Sequence, residues 1–292
     1  MHPAPSVIIF TTLSGLGFGL FMWLGMGTPA VSGWPAFIWF FVAYALSVGG
    51  LLASTFHLGN KKNAIYAFSQ WRTSWLSREG IMAVVTLLIF APYAIGLIFL
   101  GKHWPLLGNL GALSALITVF TTSMMYAQLK TVPRWNMFPL IPVLFLLYAI
   151  AGGALLAGAA YIAGWLILAV TALQVLVWKL GDDKFATLAT DKGTATGLSK
   201  IGKVRLLESG HTARSYVMDE MVHLIGRKHA AKLRLIATLL IGVFPAALLL
   251  FLPGNTLVIL LAVASHVIGV AVGRWLFFAE AEHVVGMYTS RG

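Results

Sequence analysis

From Met137 to Trp178 the chain carries no charged residue. As one helix this run would be about 63 Å long at 1.5 Å per residue, roughly twice the hydrocarbon thickness of a bilayer. It must therefore cross a membrane and turn back, and Gly152-Gly153 or Gly158 is the expected place. Similar runs recur along the chain. Hydrophobic residues make up 59% and charged residues 10%, against roughly 25% charged in soluble domains. The pattern predicts an all-α membrane protein, a bundle of eight transmembrane helices. The spans fall at about 7–27, 34–56, 80–100, 106–129, 137–154, 158–178, 234–252 and 256–278. The whole chain, 1–292, reads as a single transmembrane domain with one large loop at about 179–231. The first run has no preceding Lys or Arg and is too long for a signal-peptide core, so it reads as a retained helix.

The basic residues fix an orientation. Lys61, Lys62, Arg72 and Arg78 lie between spans two and three, and Lys130 and Arg134 between four and five. Eleven Lys or Arg lie from Lys179 to Arg234, and Arg274 and Arg291 follow near the C-terminus. Lys102 alone falls on the other side. By the positive-inside rule both termini and the three basic loops are cytoplasmic. The net charge of +11 is then one basic face, suited to anionic lipid or to an acidic partner protein. Nucleic acid is not an expected partner. In the large loop, Gly181 to Gly210 reads as irregular and Ala213 to Arg234 as a helix running on into span seven.

Cofactor chemistry is narrowed by what is missing. The chain has no cysteine, so it cannot ligate an iron–sulfur cluster through thiolates. Only His266 lies well inside a span, so no bis-histidine haem site is expected. His266 reads instead as a polar group bonded to a neighbouring helix. There is no His-Glu-x-x-His and no His–carboxylate pair on one membrane helix face, so no metal site is expected.

Polar chemistry concentrates on the basic side. His57 ends span two and Glu79 opens span three, so both can face one pocket at the boundary. A histidine and a partly buried carboxylate suit reversible proton exchange with a small lipid-soluble molecule such as a quinone. Trp75, Trp71 and Tyr66 could wall that pocket, and Arg78 could face an anionic oxygen. Ser77 is a candidate N-cap for span three. Tyr126 and Lys130-Thr-Val-Pro-Arg134-Trp135 form a second cluster, and Arg274 to His283, including Glu280, a third. Arg274 lies inside an apolar run and must pair, reach the interface or face a cavity. The same residues also fit an ordinary Trp-belted membrane surface.

These residues carry a resemblance. His57-Leu-Gly59, Trp75-Leu-Ser-Arg-Glu79, Val132-Pro-Arg-Trp135, Arg227-Lys-His-Ala-Ala-Lys-Leu-Arg234 and Gly273-Arg-Trp-Leu-Phe-Phe-Ala-Glu280 together resemble the DmsC family over essentially the whole length. These are membrane anchor subunits of dimethyl sulfoxide reductase and related molybdoenzymes. The resemblance implies a three-part complex: a molybdopterin catalytic subunit, an iron–sulfur subunit and this anchor, which exchanges electrons with ubiquinone or menaquinone and holds no haem. It implies quinone binding at His57 and Glu79. The wider candidate set adds Arg78, Trp75, Tyr126, Arg134, Arg274 and Glu280. Lys61, Lys62, Arg227, Lys228 and Lys232 are candidates for partner docking.

In dimethyl sulfoxide reductase proper the equivalent face is periplasmic, whereas the basic residues here place it in the cytoplasm. The chain therefore resembles more the cytoplasm-facing branch, the sulfite dehydrogenase (quinone) anchors, and sulfite oxidation is expected. The alternatives are an anchor that oxidises menaquinol for a dimethyl sulfoxide reductase, and a small-molecule transporter. A transporter would show polar or broken helices near mid-membrane.

Overall fold

A computed structural model describes residues 2–56, 61–187, 191–205, 207, 221, 229–252 and 255–288. Among them there is no strand. The helices are α1 (Pro5–Gly25), α2 (Gly33–Thr55), α3 (Trp75–Phe99), α4 (Pro105–Ala127), α5 (Leu140–Leu156), α6 (Ala160–Ala186), α7 (Lys192–Thr196), α8 (Ala230–Thr238), α9 (Phe244–Phe251) and α10 (Thr256–Ala279). A π-helical turn, Leu239–Val243, joins α8 to α9, so Ala230–Phe251 forms one 22-residue span. Among the described residues, seven helices are long and apolar enough to cross a membrane. The eighth, α5, has 17 residues. At 1.5 Å per residue it is about 25 Å long, at the short end of spanning helices.

α1 sits at the centre, against α2, α4, α5 and α10. Small residues let it approach its neighbours closely. A Cβ added at Gly19 would meet the Ala149 backbone, and one at Gly153 would meet the Gly19 backbone. With no hydrophobic drive between helices in lipid, such close van der Waals packing is what holds them together. Gly152-Gly153 is thus an α1–α5 contact inside the helix. The chain reverses at Gly158, whose φ of 76° suits a residue without a Cβ.

Three further expectations change. α3 starts five residues earlier than the apolar pattern, at Trp75, because Ser74 caps it by accepting from the Ser77 N–H at 3.5 Å. Ser77 is not the cap; its hydroxyl donates to the Ala67 carbonyl. α6 runs past Trp178 to Ala186, so Gly181 is helical. Beyond it, Asp191 caps the short α7 in a capping box with Thr194. The helix expected from Ala213 lies mostly outside the described residues.

The π turn has a legible cause. The Phe244 N–H bonds back to the Leu239 carbonyl, five residues earlier, and Pro245 has no N–H to give. The Leu240 and Ile241 carbonyls are left without their usual backbone donors. Ser265 and His266 of α10 donate to them at 3.0 and 2.8 Å. His266 is therefore the helix-to-helix polar bond that its position suggests. These two bonds tie the π turn to α10.

Candidate functional site

The site is built from the N-terminal turn of α3. A 3-10 segment, Lys61–Phe68, precedes it and folds back onto the helix. Phe68 lies against Gly80, where a Cβ would come within 3.0 Å of the ring. Arg78 turns away from the bundle. Its guanidinium stacks 4.3 Å over Trp75 and donates to the Trp71 and Arg72 carbonyls at 2.9 and 2.7 Å. It staples the loop. Trp75 is half-buried and meets Phe120 edge-on at 6.0 Å.

Glu79 points the other way. It is 4% exposed and lies about one turn into α3. It accepts a 2.5 Å hydrogen bond from the Thr122 hydroxyl on α4. Behind it runs a line of buried hydroxyls, with Thr118 and Thr86 paired at 3.0 Å. Each also bonds a carbonyl of its own helix, which satisfies the hydroxyl where water is absent. The ion pairs among the described residues do not include Glu79.

One turn beyond Thr122 stands Tyr126, in electrostatic reach of both Glu79 and Arg274. Its ring packs against Trp135, Phe145, Phe277 and Phe278, at centroid distances of 5.2 to 5.7 Å. Pro133 ends the preceding turn and Trp135 is drawn inward, its indole N–H donating to the Phe277 carbonyl at 2.9 Å. Arg274 lies buried between these rings. Its guanidinium is 3.8 Å from the Phe145 ring centre and 5.2 Å from that of Tyr148. Tyr148 in turn donates to Gln174 of α6 at 3.0 Å.

A second group lies nearer the surface. Arg234 of α8 grips both Asp182 oxygens at 2.6 Å and bonds Glu280 at 2.8 Å. Arg134 joins from the α4–α5 loop, 2.6 Å from Asp182 and 3.8 Å from Glu280. A cavity of about 410 Å³ opens among Arg134, Asp182, Ala230, Arg234, Glu280 and Glu282. Burial pushes the Glu280 carboxyl above its ordinary range, and the Arg234 guanidinium opposes that shift.

The eight candidate quinone-site residues therefore separate. Glu79 and Arg274 are linked through Tyr126, while Trp75 meets Arg78 and Phe120; Arg134 and Glu280 belong to the ion-pair group; Arg78 serves the loop. His57, Arg227 and Lys228 lie outside the described residues, as do the side chains of Lys61 and Lys62. Lys232 is exposed on α8. Among the described residues, no group of three or more His, Asp or Glu could hold a metal.

Sequence reasoning missed Thr122, Tyr148, Asp182 and Arg234. Thr122 and Tyr148 look like ordinary membrane-helix residues until a neighbour faces them. Asp182 had a signal. Trp178 and Asp182 are four apart, hence on one face of a continued helix, and Arg234 meets both, lying 5.7 Å over the Trp178 ring.

A sulfite dehydrogenase subunit from Allochromatium vinosum is 32% identical over an alignment of 330 residues, covering 99% of this chain and 98% of its own length. No solved structure matches the chain. The family model described as DMSO reductase anchor subunit (DmsC) matches residues 1–279. The chain belongs to that family of membrane anchor subunits.

Proposed function

We propose that this chain is the membrane anchor and quinone-exchange subunit of a three-subunit iron–sulfur molybdoenzyme. It passes electrons between the iron–sulfur subunit and the membrane quinone pool, in the direction of sulfite oxidation. Family membership and the name of the Allochromatium relative support this reading. The observation that carries it is Glu79, a carboxylate buried in a membrane helix with a hydroxyl rather than a cation against it. Ionisable groups at that depth are costly and are kept for function.

Quinone reduction takes up two electrons and two protons. The electrons come from clusters in the partner subunits, because a chain without cysteine offers those clusters no thiolate ligands. Glu79 gives one proton to a head-group oxygen and is reprotonated from the basic side. His57, which follows α2 in sequence, serves the second oxygen. Thr122 holds the carboxylate in place, and Trp75 and Tyr126 face the head group. The partners dock on the basic face, at Lys61, Lys62, Arg227, Lys228 and Lys232. Both termini and that face are cytoplasmic, in the bacterial inner membrane.

The test uses the purified complex with two electron acceptors. Glu79→Gln and Glu79→Ala are expected to lower sulfite-to-quinone turnover about a hundredfold, the scale of a lost general acid. Sulfite turnover with a soluble dye should not change. If both variants keep full quinone turnover, Glu79 has no part in the exchange. The family description favours a second reading, a reductase fed by quinol. A complex that oxidises quinol with dimethyl sulfoxide and ignores sulfite would support that direction.

A further inference from the structure

Arg274 is 5% exposed and belongs to a membrane helix. A buried cation in such a place is normally matched by an anion. The ion pairs among the described residues join Arg134 and Arg234 to Asp182 and Glu280, and none reaches Arg274. Its Nε is buried with no hydrogen-bond partner. The groups that face it are neutral hydroxyls and rings: Tyr126 from α4, and Phe145 and Tyr148 from α5. Glu79, on α3, is linked to it only through Tyr126. Glu280, on its own helix, is bonded to Arg234. Aromatic faces attract a guanidinium, but they supply no counter-charge.

We propose that Arg274 is a ligand-binding residue that makes this site selective for an anionic, flat head group. The ligand class is the ionised form of a hydroxylated or reduced quinone. The inference rests on the quinone reading above and adds the charge of the form that is held. The aromatic surroundings suit a planar ring, and the free N–H edge suits an oxygen carrying negative charge. Glu79, on the far side of Tyr126, then works as the proton donor on a ring whose anionic oxygen Arg274 already holds.

The experiment compares two probes of the same bicyclic frame on the whole complex. One is 2-hydroxy-1,4-naphthoquinone, which is ionised at neutral pH, and the other is neutral 1,4-naphthoquinone. Binding is read by equilibrium dialysis and by competition with quinone turnover. The wild type is expected to hold the anion at least about tenfold more tightly than the neutral probe, as a desolvated charge pair would give. Arg274→Met should abolish that preference while keeping affinity for the neutral probe, and Arg274→Lys should restore part of it. Should Arg274→Met fail to assemble, the wild type alone decides. Its preference must vanish as pH falls below the probe's own ionisation. A wild type that binds both probes equally, or a variant that loses both equally, overturns the role of Arg274 and leaves the quinone site standing. If neither probe binds the wild type or competes with quinone, the quinone reading falls, and this inference with it.

Discussion

His266 shows how one residue can be legible and its reason hidden. Its place inside an apolar span says that it must bond something. The partner is the Ile241 carbonyl, and the need for it comes from Pro245, four residues on, which lacks the N–H that carbonyl would normally accept. Replacing His266 with Leu should destabilise the complex by roughly 1–3 kcal/mol, the cost of a buried unsatisfied carbonyl. In a Pro245→Ala background the loss should shrink, because the backbone N–H returns. Thermal unfolding of the wild type, the two single variants and the double variant in detergent checks this coupling, and an equal loss in both backgrounds would contradict it. The candidate site divides in the same way. Glu79 and Arg274 stand out because charge is rare in apolar runs. Thr122 and Tyr148 do not, since their roles come only from which helices become neighbours.

At the scale of elements, the long spans were plain from hydropathy, while their ends were not. α3 begins early because Ser74 offers a cap, and α6 ends late because Asp182 finds Arg134 and Arg234. Both ends depend on polar partners that an apolar pattern does not register. The reversal between α5 and α6 had two candidates in sequence, and packing chose between them: Gly152-Gly153 is held against α1, which leaves Gly158 for the turn. Gly19→Ala and Gly153→Ala should each destabilise the bundle by about 1–3 kcal/mol or more, through collision with a facing backbone. Gly15→Ala, with nothing within 4 Å of the added carbon, should leave it intact. Recovery of monodisperse complex and its thermal midpoint check this contrast. Equal behaviour of the three variants would count against the α1–α5 packing.

At the scale of the molecule, the charged residues of both clusters lie near the N-termini of α3 and α8, the C-termini of α6 and α10 and the α4–α5 loop, together with most of the described basic residues. A chain without cysteine lets orientation be measured directly. Lys130→Cys, exposed in the α4–α5 loop, should react with a membrane-impermeant thiol reagent only where the cytoplasmic surface is exposed. Lys102→Cys should react only from the opposite side. The reverse pattern would turn the anchor over and return it to the periplasmic arrangement.

The most direct test of quinone exchange at Glu79 is a single turnover. The complex is reduced with sulfite, quinone is added by rapid mixing, and reoxidation of the iron–sulfur clusters is followed by absorbance. The account predicts fast reoxidation in the wild type and about hundredfold slower reoxidation in Glu79→Gln, with cluster reduction by sulfite unchanged. Reoxidation at the wild-type rate in Glu79→Gln would contradict it.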